Sequence, residues 1–170
     1  AAPRFRETGG NIREVVRTIV TSPEFFAPEA YRAKVKSPFE FVVSAVRATG
    51  IDMSNATPPV MAVRNLGMPL YGCQPPTGYA DKAEAWVNSG ALLNRMNFAV
   101  SLTASRQERG AGVRPLQARG GGGSSVTSDA LIASALAGEL SATTAATVAK
   151  ATTPSQALAL VLGSPEFQRR

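Results

Sequence analysis

The sequence predicts an all-α fold, an irregular bundle of about six to eight short helices with a long Tyr/Pro/Gly loop and a flexible Gly/Arg-rich excursion. Three observations predict it. Apolar residues recur at helical spacing in segment after segment. Those segments tend to open on Ser or Thr followed by Pro and to close on Gly, which is the punctuation of capped helices. No stretch alternates apolar with polar residues in the β-branched, aromatic manner of a half-buried strand.

Taken in order, "GGNIREVVRTIVTSPEF" offers Asn11 as a cap, then Ile12, Val15, Val16, Ile19 and Val20 on one face and Arg13, Glu14 and Arg17 on the other. Ser22-Pro23 stops it, since proline cannot continue the hydrogen-bond ladder, and the same pair starts a further turn. "KSPFEFVVSAVRATG" is the clearest helix. Ser37 and Glu40 form a capping box, Pro38 fits the first turn and Gly50 supplies a left-handed exit. Its expected buried stripe is Phe39, Val42, Val43 and Val46. "TPPVMAVRNLG" repeats the pattern and ends at Gly67. In "DKAEAWVNSGALLNRMNFAVSLTAS", Asp81 and Glu84 suggest another capping box on a short helix with Trp86. Ser89-Gly90 then separates it from a longer helix carrying Leu92, Leu93, Met96, Ala99 and Val100.

Residues 106–125, "RQERGAGVRPLQARGGGGSS", change composition abruptly and are expected to be a flexible insertion. Three more short helices follow: "SDALIASALAG", "SATTAATVAKA" and "TPSQALALVLGSPEF", the last with Thr153, Pro154 and Gln156 as its starting signal. The chain thus ends on a second helix–SPEF unit. "ALALVLGSPEF" echoes "VVRTIVTSPEF", an internal repeat in which Pro locks a helix end and Phe is expected to dock on the core.

The 170 residues suit one helical domain spanning the chain, and the opening "AAPRFRETGG" reads like the continuation of something earlier, so a C-terminal fragment of a longer protein is expected. No apolar run is long enough to span a membrane. The net charge of +6 comes from scattered arginines with no basic stripe, and the Gly/Arg tract has no interleaved aromatics, so no nucleic-acid partner is expected. The chain contains no histidine, which removes Ser-His-Asp and Cys-His catalysis within it and the usual imidazole metal ligands. Its acids are dispersed without a D-x-D cluster. Neither a metal site nor a cofactor is therefore expected. Cys73 is the single cysteine and reads as a small buried hydrophobe, there being no base to activate it.

"YGCQPPTGY", residues 71–79, is the one stretch dense in special residue types. As structure, its glycines permit positive φ, Pro75-Pro76 forms an extended link, and Tyr71 and Tyr79 could pack on Trp86. As function, Tyr71, Cys73, Gln74, Tyr79, Trp86, Asn88 and Asn94 could line a groove for a sugar or peptide, because rings offer apolar area and amides offer paired donors and acceptors. Asn94, Arg95 and Asn97 point in different directions on a helix, so not all can serve one pocket. The scaffolding reading is preferred, and no catalytic residue is assigned.

"IREVVRTIVTSPEFFAPEAYRAKVKSPFEFVVSAVRATG", "LGMPLYGCQPPTGY", "AEAWVNSGALLNRMNFA" and "LGSPEFQRR" together resemble the C-terminal part of the bacterial family known as domain of unknown function 1800 (DUF1800). The resemblance covers all but the Gly/Arg excursion. It implies a longer, exported protein, periplasmic or extracellular. The implied partners are the N-terminal part of the same polypeptide and a co-encoded, exported phosphatase-like protein. No activity and no catalytic residues come with it. Three functions stay open: a non-catalytic packing or partner-binding module, one wall of an enzyme site or binding groove completed by the missing N-terminal part, and, least favoured, nucleic-acid binding.

Overall fold

The computed structural model describes residues 1–51, 55–110, 127–136 and 138–170, and for residues 105–110 the backbone alone. The described residues form nine α-helices and three 3-10 turns, with no strand, as an all-α bundle requires. The chain divides into two compact units, residues 1–33 and residues 34–169.

The first unit holds α1 (Ala2–Glu7), α2 (Ile12–Val20) and the 3-10 turns Pro23–Phe26 and Pro28–Ala30. Gly9 and Gly10, both at positive φ, reverse the chain between the helices. Glu14 links them from the polar side, accepting from Arg4 Nη2 at 2.8 Å and from Arg17 Nη1 at 2.9 Å. Asn11 occupies the N-cap position of α2 without a side-chain hydrogen bond. No residue of this unit is buried, and Ile12, Val16, Ile19 and Val20 all stand open along α2.

The second unit contains α3 (Pro38–Thr49), α4 (Thr57–Asn65), a 3-10 turn at Ala83–Ala85, α5 (Ser89–Gly110), α6 (Ser128–Ala135), α7 (Ala142–Val148), α8 (Pro154–Gly163) and α9 (Pro165–Gln168). The punctuation works as read. Ser37 and Glu40 close a reciprocal box at the start of α3, and Gly50 leaves it at φ 64°. Gly67, at φ 92°, ends α4 with Met68 N–H donating back to Val63 O at 3.1 Å, a Schellman closure. Thr153 and Ser164 accept from the third helical N–H of α8 and α9.

The core gathers Phe41 and Val42 from α3, Val63 from α4, Ala99 and Leu102 from α5, Leu131 from α6, Leu158 and Leu162 from α8, and Phe167 from α9. The most extensive helix pairing is α5 with α8. The ends of the unit meet where Lys36 N–H donates to Gln168 O at 2.8 Å, beside an isolated antiparallel bridge of Val35 with Arg169.

Three expectations are corrected. On α3 the buried face is Pro38, Phe41, Val42, Ala45 and Thr49, which share one side of the helix at 3.6-residue spacing, whereas Phe39 lies about 100° round from that side and is exposed. On α5 the buried face is Arg95, Ala99, Leu102 and Thr103, which leaves Leu92, Leu93 and Val100 exposed. Asp81 and Glu84 form no box. The turn at Ala83–Ala85 has Lys82 at its cap position, and the Asp81 carboxylate instead meets Lys34 Nζ. In addition, α5 runs through Gly110, so residues 106–110 are helical; the remainder of the Gly/Arg excursion, 111–125, lies outside the described residues.

Candidate functional site

The loop between α4 and the 3-10 turn at Ala83–Ala85 borders a shallow, open hollow of about 840 Å³, lined by residues 72–75 and 77–81. Its base is pinned. Tyr79 Oη donates to Pro69 O at 2.6 Å, which closes the loop upon its own beginning. The Trp86 indole N–H donates to Ala80 O at 2.8 Å, and the Tyr79 and Trp86 ring centroids lie 6.0 Å apart in a tilted pair. The Lys34–Asp81 ion pair ties the far end to the segment before α3. Gly72 is required where it stands, since a Cβ there would lie 2.9 Å from Pro69 Cγ and 3.2 Å from Pro69 O.

The sequence-derived candidates separate into three groups. Cys73, Gln74 and Tyr79 share the hollow, with Cys73 half-buried and Gln74 exposed. Burial, and then the neighbouring Cys73, hold the Tyr79 phenol above its ordinary pKa. Trp86 is buried and supports the loop from behind. Asn88 is a helix cap, its Oδ1 accepting from Ala91 N–H at 2.8 Å at the start of α5, and Asn94 lies exposed one turn further along. Neither Asn88 nor Asn94 lines the hollow.

Tyr71 departs from expectation. It packs on no core residue; its side chain is fully exposed and its backbone takes φ 59°, a left-handed conformation that L-residues other than Asn and Asp rarely adopt. Asp81 was read only as a cap, yet it both lines the hollow and pairs with Lys34. Its partner lies 47 residues away in sequence, and no local signal could have revealed it. The hollow thus offers an amide, a phenol, a thiol and a carboxylate on a loop held at both ends, a set suited to hydrogen bonding and apolar contact. Among the described residues, no three Cys, Asp or Glu side chains gather as a metal site would require.

Compared with known proteins, the chain matches the model of a family described as a protein of unknown function (DUF1800) over residues 1–169. No curated protein and no solved structure matches it.

Proposed function

The chain belongs to the DUF1800 family of proteins of unknown function, and within that family we propose that it is a non-catalytic helical module that binds a partner polypeptide through the loop at residues 70–81. The observation that carries this reading is Tyr71. A left-handed backbone at a non-glycine residue costs about 1 kcal/mol, and a ring wholly in solvent returns no burial to the fold. Tyrosine is a residue that interfaces use heavily as an anchor. Here it stands beside half-exposed Leu70 on a loop whose base is already rigid, so little ordering remains to oppose binding.

The partners that fit are those implied by the sequence resemblance: the N-terminal part of the same polypeptide first, and a co-encoded exported phosphatase-like protein second. Export to the periplasm or beyond belongs to the same proposal and rests on the same resemblance; a reporter fusion to the full gene, active only outside the cytoplasm, tests it. The open hollow favours a second reading, a groove for a carbohydrate or peptide or one wall of an enzyme site, in which Gln74, Tyr79 and Asp81 would contact the ligand.

Mixing the purified chain with each partner, and following association by calorimetry, separates these readings. Tyr71→Asn should weaken binding tenfold or more, as for an interface anchor, and should leave the melting temperature unchanged or raised because Asn tolerates the left-handed backbone. Undiminished binding by Tyr71→Asn would sink the proposal. Binding of oligosaccharides or peptides that is lost in Gln74→Ala and kept in Tyr71→Asn would establish the second reading in its place.

A further inference from the structure

We draw no further inference here: the strongest candidate, the apolar face that α2 leaves open through Ile12, Val16, Ile19 and Val20 beside the exposed Phe25 and Phe26 of the turn after it, carries none because nothing in the structure shows what covers it.

Discussion

Arg95 donates from Nη1 to Oε1 of Gln168 at 2.6 Å, with both side chains inside the protein and 73 residues between them. Nη2 donates to Lys36 O at 2.8 Å, the guanidinium carbon lies 5.2 Å from the centre of the Phe41 ring, and buried Nε finds no hydrogen-bond partner among the described residues. Burial lowers the arginine's pKa. A cation desolvated against neutral acceptors is retained here because it joins the start of α3, the middle of α5 and the end of α9. Truncation to Arg95→Ala should cost about 3–5 kcal/mol in urea unfolding, through the cavity and the two acceptors that lose this donor. Arg95→Met combined with Gln168→Leu should recover part of that loss, since the Gln168 acceptor is removed together with its donor while Lys36 O still loses one. A double variant as unstable as Arg95→Ala would show that the polar link itself is indispensable.

Glu166 supplies the clearest pH dependence. Burial alone would raise its pKa, but hydrogen bonds from the Ser141 side chain, from the Glu166 and Ser141 backbone N–H groups and from Thr144 outweigh this and hold it at about 2. Ser141 N–H and Thr144 Oγ1 both donate to it at 3.1 Å, so one carboxylate of α9 secures the start of α7. The folded value lies below the unfolded one of about 4.5. Its contribution is therefore complete above pH 4.5 and is lost as the pH falls towards 2, by about 1–2 kcal/mol after allowance for solvent screening. Glu166→Gln should flatten the unfolding free energy between pH 5 and pH 2 relative to the parent. Parallel pH profiles for the two proteins would contradict this assignment.

Helix starts and ends were legible because their chemistry is local. Ser37 meets Glu40 three residues on, and Gly50 and Gly67 take the left-handed exits that only a residue without Cβ adopts freely. The register of the buried faces was less legible. Phe39 and Phe41 both fit a helical stripe, and α5 has enough apolar residues for two faces, so periodicity alone cannot choose between them. The choice is made by Gln168, Lys36 and the α8 stripe, all distant in sequence from α5. The same limit applied to the loop. Its aromatic pairing of Tyr79 with Trp86 was readable from proximity, while the outward turn of Tyr71 depends on a single backbone angle that composition does not encode.

Trp86 and Tyr79 should behave as supports of the loop. Trp86→Ala removes a buried indole and leaves Ala80 O without its donor, and should cost about 3–4 kcal/mol. Tyr79→Phe keeps the ring and loses only the bond to Pro69 O, at about 1 kcal/mol. Thermal melting of both variants checks the ranking. A Trp86→Ala protein that melted like the parent and failed to bind partner would make this pair part of a recognition surface instead.

The crossing of α5 and α8 depends on Gly163. Met96 occupies the space a Cβ would need, so Gly163→Ala must push the thioether aside or separate the two most extensively packed helices. Methionine is flexible, which places the expected loss at about 1–3 kcal/mol, the lower part of that range if only its tip moves. Met96→Ala opens the same space and should also destabilise, by about 2–3 kcal/mol. In the double variant the new methyl group fills volume the thioether has left, so Gly163→Ala should become neutral or mildly stabilising in the Met96→Ala background. The double-mutant cycle would then show a favourable coupling of at least about 1 kcal/mol. Simple additivity of the two losses would mean that this contact does not set the approach of α5 to α8.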